Sequence, residues 1–171
     1  MKRHFVIIAL CSIVLSLTSC IKPANESFVG TYKGTLITTY TINVQGNYET
    51  NVEDTDFTIA IAQGDKRDEV IATCSAYGQN FTLNGTVDDD HVMFDPCTIN
   101  TSVSDLFENE IPILGSLTTQ VDHTIEISGT LDEENNYLVI DGNVFGTITA
   151  TILTQIAAFP YTGTVKGVLY R

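Results

Sequence analysis

The 171-residue chain carries 21 acidic residues against eight basic ones, a formal net charge of −13 at pH 7, and has no tryptophan. A surface of that sign repels nucleic acid and anionic lipid headgroups, so neither is an expected partner of the folded body. The same acidity keeps an exported β-protein in solution and discourages edge-to-edge strand pairing.

The chain opens with Lys2 and Arg3, then an almost unbroken apolar run over residues 5–17. This is the layout of a secretory signal, and the run is too short for a membrane-spanning helix of about 20 residues. The run ends Leu17-Thr18-Ser19-Cys20, which resembles a bacterial lipobox. In that motif the cysteine is acylated and the chain is cleaved before it. The competing reading is an ordinary signal peptide with a chance cysteine near the cleavage point. The spacing, Leu at minus three and small residues up to the cysteine, favours the anchor. The expected organisation is a signal peptide over 1–19, a lipidated tether over 20–27 and one domain over 28–171. Cys11 would leave with the signal. Beyond it the body holds all 21 acidic residues and six basic ones, a net charge of −15.

From Phe28 onward the apolar pattern has period two. Tyr32, Leu36, Tyr40 and Ile42 share one parity, and so do Phe57, Ile59 and Ile61. Phe81, Leu83 and Val87 alternate with polar residues, as do Val121, His123, Ile125 and Ile127. Strict alternation marks half-buried antiparallel strands. The expected strands are 30–43, 55–62, 69–77, 80–87, 91–99, 120–131, 136–152 and 161–170. Asp141-Gly142 offers a turn that would split the seventh and give nine. Residues 44–54 have room for a short strand around Tyr48 and Val52, in an otherwise polar, turn-like stretch. Residues 102–118 form a long connection, with a turn or two of helix over 105–110 before Pro112. Gly-Thr-aliphatic recurs at Gly34, Gly85, Gly129, Gly146 and Gly163 at irregular spacing. Glycine inside a strand marks a bend or bulge, which a closing sheet needs. The fold class is therefore all-β, an antiparallel up-and-down barrel of about eight strands.

The segment Phe28-Val29-Gly30-Thr31-Tyr32-Lys33-Gly34-Thr35-Leu36 resembles the first strand of the small lipocalin-like, or calycin-like, bacterial lipoproteins. In that superfamily a Gly-x-Trp motif plugs one barrel end and a basic side chain from the last strand packs over the ring. Here Gly30 and Tyr32 take the motif positions, with tyrosine replacing tryptophan, and Arg171 or Lys166 is the basic partner. The resemblance implies an interior pocket and brings no catalytic residues.

Chemistry-bearing residues are few. His123 shares parity with its apolar neighbours, so it points inward as a satisfied interior histidine. His91 follows Asp88-Asp89-Asp90, but the run lacks the oxygen spacing and glycine of a calcium loop, so it reads as a solvated hairpin tip. Asp132-Glu133-Glu134 reads the same way. No serine sits in a nucleophile elbow, and no phosphate loop, dinucleotide fingerprint or zinc-protease helix is present. Cys74 and Cys97 fall two strand spacings apart, about 9.6 Å, beyond the roughly 7 Å a disulfide spans. Pro96 would narrow that gap if it ended the fifth strand early. Two apolar loops, Ile111-Pro112-Ile113-Leu114-Gly115 and the stretch 152–160, are lid or docking candidates, with Ile113, Leu114 and Phe159 as the residues placed at a mouth.

The reading is a lipid-anchored cell-envelope lipoprotein whose barrel binds a small, mostly apolar ligand. It is not an enzyme and has no metal or cofactor. The alternative is an envelope interaction or structural module whose barrel is filled by its own aromatics, Tyr32, Tyr40, Phe57, Phe81, Phe94, Phe145 and Tyr161. Its membrane contact is the N-terminal lipid; the membrane face and any protein partner stay open.

Overall fold

The computed structural model describes residues 23–44, 46–102, 119–152 and 155–171, without the side chains of 44, 119, 151, 152 and 155. The signal, Cys20, the helical turn expected at 105–110, and Ile113 and Leu114 lie outside the described residues. After a 3-10 turn at Ala24–Glu26 come nine strands: β1 Gly30–Val44, β2 Asn47–Gln63, β3 Glu69–Ala76, β4 Gln79–Asp88, β5 His91–Phe94, β6 Cys97–Thr101, β7 Thr119–Asp132, β8 Tyr137–Ile152 and β9 Gln155–Tyr170. Sequence neighbours pair antiparallel from β1 to β5 and from β6 to β9, β1 pairs with β9, and β5 pairs with β7. β5 and β6 occupy one place in the wall, because both lie against β7, through Ser128–Thr130 and Val121–Ile125 respectively. The described strands thus close a ring of eight wall positions, although residues 47–57 of β2 and the outer side of β6 carry no second ladder.

The ninth strand arises at Asp95-Pro96, not at Asp141-Gly142. Proline has no N–H to give the ladder, so the strand expected over 91–99 breaks there. Inward parity shifts across the break, from Val92 and Phe94 to Cys97 and Ile99. Asp141 and Gly142 stay inside β8, paired to Ser128 and Ile127 on one side and Lys166 and Val165 on the other. Glycine is required at 142 because a Cβ there would stand 2.1 Å from the Glu126 carbonyl oxygen. Residues 47–54 are likewise no separate strand. They form the first half of β2, in register with β1 from Val44↔Asn47 to Ile37↔Asp54. Tyr48 thus lies on a strand and not in a turn, and is 72% exposed.

Inside the ring the alternating apolar residues form one continuous core, with Phe28, Tyr32, Tyr40 and Ile59 fully buried. Phe145 is not among the fillers. Its neighbours Val144, Ile148 and Ala150 set the inward parity of β8, which turns Phe145 out to the wall. Phe81 is only partly buried, packed against the core. The outer wall displays Thr31, Lys33, Thr35, Asp54 and Asp56. Exposed Ile37, Val52, Ile71 and Met93 lie among them on the same wall. Among the described residues, no helix is long and apolar enough to cross a membrane.

The two ends of the barrel differ. At the lower end, where β1 starts and β9 finishes, Phe28 and Tyr32 plug the ring. The Tyr32 hydroxyl donates to the Phe28 carbonyl at 3.1 Å. The Arg171 guanidinium carbon lies 5.5 Å from the Tyr32 ring centroid, and its Nη2 donates to the Val29 carbonyl. Gly30 leaves room for this arm, since a Cβ there would come 2.5 Å from Arg171 Nε. Lys166 instead sits mid-wall, 3.5 Å from Asp141. Truncating Tyr32 to Ala removes a wholly buried ring, an expected loss of about 3–5 kcal/mol. Tyr48→Ala, on the wall, should cost under about 0.5 kcal/mol. Urea midpoints of the two variants check the contrast, and equal midpoints would contradict it.

Candidate functional site

The upper half of the interior is built differently from the lower. There, Thr38 and His123 are fully buried and Glu53 is 4% exposed, among otherwise apolar core residues. Tyr40, Tyr77 and Tyr161 close around them, all 5% exposed or less. The strand parities that bury Leu36 and Tyr40 also bury Thr38, and those that bury Phe57 and Ile59 bury Glu53. Thr38 and Glu53 are cross-strand partners.

His123 is the hub. On β7 it stands opposite Gly146 of β8, and Gly146 in turn stands opposite Tyr161 of β9. With no side chain at 146, the Tyr161 phenol leans across the middle strand. A Cβ there would meet its hydroxyl at 2.7 Å and the Asp122 carbonyl oxygen at 1.9 Å. The hydroxyl lies 2.6 Å from His123 Nδ1, and the two rings stack at 6.0 Å and 15°. Tyr40 meets Tyr161 edge-on at 5.7 Å.

Tyr77 completes the group from the β3–β4 hairpin. Tyr77 and Gly78 both have positive φ, 52° and 71°. Such a two-residue turn favours Asn or Gly first, and a tyrosine there costs roughly 1–2 kcal/mol. The strain turns the phenol into the barrel, where its ring meets His123 edge-on at 5.0 Å.

Burial alone drives the His123 imidazole down to about 4, so it is neutral near pH 7. Burial also raises the phenols of Tyr40, Tyr77 and Tyr161. A neutral imidazole has one N–H. If Tyr161 donates to Nδ1, Nε2 carries the hydrogen and is a donor; in the other tautomer Nε2 is an acceptor. Either way Nε2 is buried and makes no hydrogen bond among the described residues. An unmet buried polar atom of this kind costs about 1–3 kcal/mol. Among the described residues, the interior histidine expected from the sequence is satisfied at Nδ1 and not at Nε2.

The remaining candidates are dispersed. Phe159 is 7% exposed and opposite Ile148 on the inward face, so it fills the core and does not stand at a mouth. His91 is exposed at the lower end, 2.6 Å from Asp90. Cys74 and Cys97 are free thiols; burial and the neighbouring Cys97 push Cys74 up to about 12, which makes it a poor nucleophile. Among the described residues no three His, Cys, Asp or Glu side chains gather as a metal set. Sequence reasoning passed over Tyr77, because nothing marks a tyrosine as a left-handed turn residue. Thr38 was readable from parity; Glu53 fell in the stretch expected to be turn-like and is set inward only because β2 begins at Asn47.

The buried imidazole makes stability depend on pH. Its folded pKa lies below the unfolded value of about 6.5, so its cost is absent above pH 6.5 and grows as pH falls toward 4. Between pH 7 and 4.5 the wild type should lose about 2–3 kcal/mol more than His123→Gln, which cannot titrate. Urea unfolding of both proteins at the two pH values measures the difference. Parallel losses would mean that His123 is not buried as described.

No family model matches the chain, and no curated protein matches it. A solved structure from Nostoc punctiforme, a DUF3598-family protein of unknown function, is similar at 13% identity, over 82% of this chain and 47% of that one, with a TM-score of 0.29. The chain thus spans about half the length of that protein, and a likeness at this score carries no functional argument.

Proposed function

We propose that the protein is a lipid-anchored cell-envelope lipoprotein whose barrel holds a small, mostly apolar molecule in its upper half. The observation that carries the reading is His123 Nε2, a fully buried hydrogen-bonding atom without a partner among the described residues. A ligand with one polar group would satisfy it and lay its apolar body against the phenol rings. The layout of residues 1–20 supports export and anchoring. Each buried methylene of an acyl chain contributes roughly 0.8 kcal/mol, so several chains hold such a protein firmly. The rival, a barrel filled by its own side chains and used as an interaction module, draws support from Phe159, which packs inward instead of guarding an opening.

Two measurements test the reading. Cys20→Ala should move the protein from the membrane to the soluble fraction; retention after a high-salt wash would reject the anchor. Native mass spectrometry of the protein purified from its own cells should show a bound small molecule, and His123→Phe should lose it while keeping the β circular dichroism. A bare wild-type mass would favour the filled module.

A further inference from the structure

We infer that the barrel stands on its lower end at the membrane, with the His123 cluster turned away, so that its lumen exchanges with solution and not with the bilayer. The inference rests on the anchor reading at Cys20 and adds the geometry of the leash. Three Cα steps of about 3.6 Å separate Cys20 from Pro23, a reach of about 11 Å. From there the chain is fixed. Asn25, 2% exposed, donates from Nδ2 to the Lys66 and Glu69 carbonyls at 3.0 and 2.7 Å. Its backbone N–H reaches the Arg67 carbonyl at 3.3 Å. Val29 is held by Arg171, and Phe28 is driven into the lower opening with none of its surface exposed. The leash therefore leaves from the rim of the lower end, beside the turn after β2.

The wall is long by comparison. Fifteen residues of β1, rising about 3.3 Å each at a tilt of about 40°, make the tall side of the wall about 40 Å high. An 11 Å leash (about three residues of extended chain) cannot bring the upper end to the headgroups by inversion. Lying flat on an anionic surface would need an adhesive side, and the excess of 21 acidic over six basic residues beyond Cys20 opposes that. The lower end is also the end that Phe28, Tyr32 and Arg171 seal, so the end nearest the bilayer is the closed one.

The absence of tryptophan makes the test direct. Glu134→Trp places a reporter on an exposed lower turn, and Tyr48→Trp places one on exposed upper β2. The acylated proteins are reconstituted in phosphatidylcholine vesicles containing a minor fraction of headgroup-nitroxide lipid, with circular dichroism confirming the fold. Strong quenching of indole fluorescence is expected in the Glu134→Trp protein and little in the Tyr48→Trp protein. Equal quenching of the two, or stronger quenching of the upper reporter, overturns the orientation. A 20-residue Gly/Ser insert between Lys22 and Pro23, with a mean span of about 25 Å, should erase the contrast; a contrast that survives it means the short leash does not set the orientation. Failure of the anchor reading looks different: neither protein then stays with the vesicles on flotation.

Discussion

Everything in this molecule depends on ring closure through the β1–β9 and β5–β7 ladders. An open eight-stranded meander would leave two unpaired edges and a core exposed along one side. Closure pairs most of those edges and gives each alternate residue a fixed fate, lumen or water. It also joins the first and last strands. Because β9 pairs with β1, Arg171 comes back over Tyr32 and the segment before Gly30. The lower plug is thus a product of the seam between the first and last strands, and it ties the N-terminal leash to the same place.

The lumen is uneven, and the unevenness works against stability. The lower half is what a barrel of this size does by default: it fills with side chains. The upper half departs from that at three points. Gly146 gives up packing so that Tyr161 can reach His123. Tyr77 takes a left-handed conformation to bring a phenol inward. His123 keeps a buried nitrogen unmet among the described residues. Each costs on the order of 1 kcal/mol or more, against a net stability of about 5–15 kcal/mol for a typical domain. An aliphatic side chain at 123 would avoid the last of these. Clustered local costs of this kind are the usual sign of a site in which something beyond folding is served.

Much of this was legible in the sequence, for a physical reason. Period-two alternation is a local property, so most strand positions and the inward faces of His123 and Thr38 follow from parity alone, while residues 47–54, with the inward Glu53, and 155–160 were expected outside the long strands. Failures came where parity gives no information or where one residue overrides it. At Asp141-Gly142 the turn chemistry was right and the context wrong, because a strand paired on both sides has no need to turn. Asp95-Pro96 broke a strand that alternation alone would have continued. Phe145 was counted as a filler for its size, although Val144 and Ile148 had already fixed its face. Tyr77 needed the hairpin geometry, and the His123–Tyr161 hydrogen bond needed three strands in register, with Gly146 between two side chains 38 positions apart. Register between distant strands is invisible to any local pattern.

If the upper lumen is the proposed ligand site, charge narrows what it would suit. An anion entering it would leave water for the interior of a protein whose body carries −15. Among the described residues it would find no cation there: His123 is held neutral by its own burial, and Arg171 is engaged at the opposite end. Desolvating an ion without a partner costs several kcal/mol, more than one hydrogen bond returns. A neutral molecule meets no such barrier. It needs one hydrogen-bonding group for Nε2 and an apolar or aromatic body to replace contacts with three phenol rings. The burial that neutralises the histidine is therefore also what sets its preference: a neutral imidazole offers a hydrogen bond and no charge.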